Sequence, residues 1–161
     1  MPYVENQTVH DADSHIMELP NMVPDYLEAK YQKPFSEKIQ RLEALFSNGE
    51  KMQSLHDDPE FRAGDDANIL LRKNHEALGS FRNEDRPKVL DLLGFTSQLV
   101  FTTDALSNYG FEHNGETELA LATAVAHNRM MTDFCSVDKR LLATGYVPLM
   151  DIEKAPAIAK Q

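Results

Sequence analysis

Ser97-Gln98-Leu99-Val100-Phe101-Thr102-Thr103 is the stretch on which the fold turns. Its continuous apolar centre reads as a buried strand of a parallel sheet, not as an alternating strand with one wet face. Upstream, Pro87 suits the first turn of a helix carrying Val89, Leu90, Leu92 and Leu93, and Gly94 supplies its stop. Downstream, Leu119, Ala122, Ala126, Met130 and Phe134 recur every three or four residues, which predicts one apolar stripe on a helix from about Glu116 to Phe134. A further β-rich run, Leu141 to Leu149, follows and is ended by Pro148, which cannot donate to a ladder. A last helix is expected from near Asp151. The remaining β-rich run, Thr8 to Ile16, lies far upstream. Strand, long helical excursion, strand, helix, strand, helix is the order of an α/β fold with parallel strands and right-handed crossovers.

Within the excursion, Ser36 is placed to cap a short helix carrying Ile39, Leu42, Leu45 and Phe46, with Asn48-Gly49 as its stop. Asp65 or Asp66 opens another around Ile69, Leu70 and Leu71, ahead of Gly79. The acidic stretch from Asp57 to Asp66, with Pro59 and Gly64 inside it, reads as an exposed, mobile loop. The 161 residues suit one domain with an apolar core. Lys plus Arg total 16 against 26 Asp plus Glu, a formal charge of −10, which repels phosphate backbones and anionic lipid and so argues against nucleic-acid and membrane partners. No apolar run approaches the roughly 18–20 residues of a membrane span. Residues 1–7 lack the basic and apolar regions of a secretory signal. Cys135 is the sole cysteine, so neither an internal disulfide nor a Cys-x-x-Cys zinc ribbon can form, and a reducing, cytoplasmic setting is expected.

One group of residues carries chemistry. Asp11, Asp13 and His15 alternate along the first strand, so a regular pleat projects all three from one face. Carboxylate plus imidazole suits a divalent ion such as zinc or manganese better than magnesium or calcium. Glu18 follows three residues later, within reach of the same point. His10 alternates to the opposite face, and His56 and His75 read as surface residues of the excursion. His113 falls in the loop after the second strand, His127 beside the apolar stripe, where it reads as a packing residue. Cys135 reads as an inert thiol whose pKa its neighbours Asp133 and Asp138 raise. The sequence has no Gly-rich phosphate loop, no Gly-x-Ser-x-Gly elbow and no basic-aromatic patch.

The run from Asp11 to Pro20, with Asp25-Tyr26-Leu27 and Lys33-Pro34-Phe35 after it, resembles the opening of amidohydrolase-related proteins. These are metal-dependent TIM-barrel hydrolases whose relatives include aminocarboxymuconate-semialdehyde and resorcylate decarboxylases. Leu90 to Phe95 leading into Gln98 to Phe101 resembles the approach to that family's second strand. His127-Asn128-Arg129, Asp133-Phe134-Cys135, Arg140-Leu141 and Val147 to Asp151 resemble its second helix and third strand. The resemblance covers most of the chain outside residues 36–80. It implies a partial (β/α)8 barrel, with residues 1–161 as about its first three β/α units and residues 36–80 as a helical and loop insertion.

By the same resemblance, Asp13 and His15 stand where the family carries His-x-His as metal ligands. An acidic first residue occurs among its decarboxylase-like members. Glu18 resembles the glutamate of an Asp-x-His-x-x-Glu-Pro subgroup, although here Leu19 separates it from Pro20. Glu18 and Asp11 are thus candidates as ligands or as supports for the ligands. A histidine and an aspartate completing the shell are expected beyond residue 161, as are the acid–base groups. The implied activity is metal-dependent hydrolysis of a small molecule. The alternatives are a non-oxidative decarboxylase of an aromatic or unsaturated acid, and an inactive fragment or interaction module. Three strands cannot close a barrel, so the chain alone is expected to be inactive and to self-associate.

Overall fold

The computed structural model describes residues 1–38, 42–103, 105, 111 and 114–160, with the backbone alone for 42–47. Strands β1 (His10–His15), β2 (Ser97–Phe101) and β3 (Leu141–Ala143) form a parallel sheet in the order β1-β2-β3. Between β1 and β2 lie α1 (Ala29–Lys38), α2 (Leu42–Asp57), α3 (Pro59–Ala63) and α4 (Arg86–Leu93). The long α5 (Thr117–Cys135) connects β2 to β3, and the single turn α6 (Ala155–Ile158) follows β3. The chain is therefore a mixed α/β structure around a small parallel sheet. Among the described residues no helix is long and apolar enough to cross a membrane.

The stripe on α5 packs as its spacing predicts. Leu119, Ala126, Met130 and Phe134 are buried with Ile16, Leu90, Val100 and Leu141, and Ala122 is partly buried against them. Full burial of each large apolar side chain contributes roughly 1.5–3 kcal/mol, so this stripe is the main fastening between helix and sheet. Arg129 and Asp133 lie on the exposed side, where the Tyr26 hydroxyl donates to Asp133 at 2.5 Å. On β2, Gln98 and Val100 are buried whereas Ser97, Leu99 and Phe101 are only half-buried. Leu142, opposite Leu99, is 50% exposed. The central strand is thus covered on one face, and the continuous apolar run had suggested two. The third strand is also shorter than its sequence run. Past Thr144 the backbone finds side chains instead of a ladder: Asn128 accepts from Tyr146 N–H at 2.7 Å and donates to Tyr146 C=O at 2.9 Å.

Helix α4 has the expected Pro87 in its first turn and ends at Gly94, whose φ is +76°. The carbonyl of Val4 lies 2.1 Å from where a Cβ on Gly94 would stand, so glycine is required there for space as well as conformation. The excursion departs most from its sequence reading. Ser36 lies inside α1 instead of capping a helix, and its hydroxyl donates to Lys33 C=O. The stop expected at Asn48-Gly49 is passed over by α2, and a Cβ on Gly49 would stand 3.2 Å from Pro20. Gly49 permits that approach. The side chains of Ile39, Leu42, Leu45 and Phe46 lie outside the described residues. No helix starts at Asp65 or Asp66; residues 64–71 form turns.

The acidic stretch 57–66 is structured. Asp58 caps α3 by accepting from Glu60 N–H at 2.9 Å. Asp65 and Asp85 are buried and receive Arg72 and Arg62 at 2.6 Å each. His56, read as a surface residue, is 2% exposed, with its ring between Phe61 and Phe81 and its Nε2 2.7 Å from His75 C=O. His75 itself is half-buried.

Candidate metal centre

The candidate site is built by an irregularity in β1. His10 pairs with Ser97 and Asp11 with Gln98, but Ser14 pairs with Val100 and His15 with Phe101. Three steps on β1 therefore match two on β2, which is a bulge at Ala12–Asp13. The Asp11 carboxylate closes it, accepting from Asp13 N–H at 3.0 Å and from Gln98 Nε2 at 3.1 Å. A bulge inverts the side-chain parity beyond it. Asp11 consequently sits on the covered face with Gln98, whereas Asp13 and His15 emerge together. The expected three-residue row is thereby corrected to a pair. His10, expected opposite His15, is on the same open face by its pairing with Ser97, whose Oγ lies 2.7 Å from its Nδ1.

Asp13 Oδ1 and His15 Nε2 are 3.3 Å apart at the C-terminal end of β1, with side chains 92% and 41% exposed. Two ligands of a tetrahedral ion at roughly 2.1 Å stand about 3.4 Å from each other, so the pair fits one edge of such a shell. Behind it, His15 Nδ1 meets Thr103 Oγ1 at 3.1 Å, and its ring stacks on Phe101 with centroids 5.6 Å apart. Glu18 is buried and turned to the backbone after β2. Its two oxygens accept from Thr103 N–H at 3.1 and 3.0 Å, and Oε1 also accepts from Ala105 N–H at 3.1 Å. Glu18 is thus engaged by the backbone that follows β2.

No family model, curated protein or solved structure matches this chain. The donor chemistry of the site rests on its own residues. Among those described, no group of three or more His, Cys, Asp or Glu is gathered for a metal, and Asp13 with His15 supplies two donors where a zinc shell takes about four. Beneath the pair lies Arg86, 4% exposed. It donates to Gly79 C=O at 2.6 Å, to Ser14 Oγ at 2.8 Å and to the His15 carbonyl. Burial lowers its pKa to about 10, which leaves it charged at neutral pH. From the covered side, Arg86 thus holds the Ser14 hydroxyl and the His15 carbonyl. Neither Arg86 nor Thr103 stood out in the sequence. The usable signal was a threonine at the C-terminal end of a parallel strand, where α/β proteins place functional groups.

The other candidates are packed. His127 is buried, with Nε2 3.2 Å from Thr102 Oγ1 and Nδ1 3.0 Å from Asn128 Oδ1, and burial lowers its pKa. The Cys135 thiol is raised to about 11 by burial, not by the neighbouring acids, and the charge of Arg86 opposes the shift. His113 lies outside the described residues.

Proposed function

We propose that the three strands open a (β/α)8 barrel and that Asp13 and His15 are divalent-metal ligands of a hydrolase similar to the amidohydrolase-related family, acting on a small molecule. The Asp13–His15 pair carries the reading: an anionic oxygen and an imidazole nitrogen 3.3 Å apart, on the open face at a strand's C-terminal end. Barrel enzymes gather their chemistry at that end of the strands. The helices on one face and the half-open other face support the same architecture. Zinc or manganese suits the mixed donors. Such an ion supplies a bound water of lowered pKa and polarises a substrate carbonyl. This chain's own part is to aim the two donors: Asp11 sets the bulge, Arg86 holds the His15 carbonyl, and Phe101 and Leu99 give the site an apolar floor. A non-oxidative decarboxylase is the second reading, favoured by Asp13 at the first ligand position, since an anionic donor moderates Lewis acidity and favours a harder metal.

The test is a Mn2+ titration of the chain followed by nuclear magnetic resonance. Line broadening should centre on residues 12–16 and 101–103 and vanish in the Asp13→Asn, His15→Gln double variant. Binding should be weaker than about micromolar, because two ligands leave half of a roughly four-ligand shell to water. Broadening that spreads over the exposed carboxylates of Asp57 and Asp66 and spares His15 would refute the assignment.

A further inference from the structure

We propose that Thr103 is a positioning residue for His15, its hydroxyl serving as a two-way partner that lets the ring present Nε2 to a divalent ion. This rests on the reading of Asp13 and His15 as ligands. The two ring nitrogens face different groups: Nε2 lies 3.3 Å from Asp13 Oδ1, and Nδ1 lies 3.1 Å from Thr103 Oγ1. A neutral imidazole has one N–H and one lone pair. Without an ion, the Asp13 carboxylate is the stronger acceptor, so the proton sits on Nε2 and Thr103 donates its O–H to Nδ1. Were a divalent ion held at Nε2, the ring proton would reside on Nδ1. The ring loses one proton to water and gains one from it, with no net uptake. Thr103 turns its hydroxyl and accepts.

A carboxylate or carbonyl facing Nδ1 would serve the ion-bound ring alone, because it cannot donate to a lone pair. A hydroxyl serves both states. It can do so without backbone movement, since Glu18 grips the Thr103 N–H through both carboxylate oxygens. Stacking on Phe101 at an interplanar angle of 26° keeps the ring in the plane that reaches both partners. Glu18 therefore acts on His15 through Thr103.

The experiment follows the ¹⁵N shifts of the His15 ring in the whole chain, at a pH where the ring is neutral, before and after adding Zn2+. The N–H should be at Nε2 without the ion and at Nδ1 with it. Thr103→Val, nearly isosteric at a half-buried position, should weaken Zn2+ binding about tenfold, and Thr103→Ser should restore it. Unchanged affinity in Thr103→Val overturns the proposal, as does a wild-type ring that already holds its proton on Nδ1 before Zn2+ is added. A His15 ring that never responds to Zn2+ overturns the ligand reading first and this proposal with it.

Discussion

Asp85 and Asp13 are both carboxylates with a basic partner, and their surroundings differ in every other respect. Asp85 is buried in the excursion and receives both terminal nitrogens of Arg62, at 2.7 and 2.6 Å. Arg62 also reaches Asp65, which Arg72 holds in turn while stacking on Phe61, 3.5 Å from the ring centroid. The bonding capacity of these groups is spent within the network. Asp13 meets His15 at one point, at 3.3 Å, with most of its carboxylate in solvent. Pairs of the first kind fix a shape, and breaking one strands a charge. An exposed pair adds little to stability and keeps lone pairs for something else.

The comparison can be broken first at Asp85. Asp85→Ala leaves Arg62 without its fork partner and should lower stability by about 3 kcal/mol, read from the midpoint of urea unfolding. A loss below about 1 kcal/mol would place Asp85 with the ordinary surface pairs. The next effect is on the pH profile. Burial holds His56 below its ordinary 6.5, with the charges of Arg82 and Arg62 acting in the same direction. As pH falls through about 6.5, the unfolded chain takes up a proton before the folded one. Stability is therefore full above that pH and declines below it, by up to about 1.4 kcal/mol per pH unit for one proton. His127 adds a slope of the same sign. Unfolding measured from pH 7 to 5 should thus show a shallower decline in His56→Gln than in the wild type, and equal slopes would contradict the buried reading. The smallest effect is expected at Asp13. Asp13→Asn should change stability by no more than about 0.5 kcal/mol while removing the Mn2+ response; a larger loss on unfolding would make the pair structural.

What could be read in the sequence was local. Helix α5 shows its stripe in its own spacing, and α4 carries its start and stop in Pro87 and Gly94. The excursion could not be read that way, because its determinants are distant in the chain. Gly49 inside α2 leaves room for Pro20, and the acidic stretch is held where Asp65 meets Arg72 and Asp85 meets Arg62. The site was half legible. Asp13 and His15 stand together as their types and spacing suggest, but the bulge that removes Asp11 from the row depends on Gln98, a residue in another strand. Thr103 is distinguished from any other β-branched residue at a strand's end only by its position beside His15.

The bulge also bears on which changes in chain length this site tolerates. Ala12 and Asp13 together stand opposite Leu99, so one residue in that stretch is surplus to the ladder. Deleting Ala12 would leave Asp11 opposite Gln98 and Ser14 opposite Val100, with Asp13 and His15 still on the open face. Deleting a residue from a regular part of β1 gives no such absorption. It would slip everything on one side by a position and exchange the faces of the strand. A one-residue gap at position 12 is thus an allowed variation for this strand, whereas the same gap at position 14 would send either Asp13 or His15 to the covered face and split the pair.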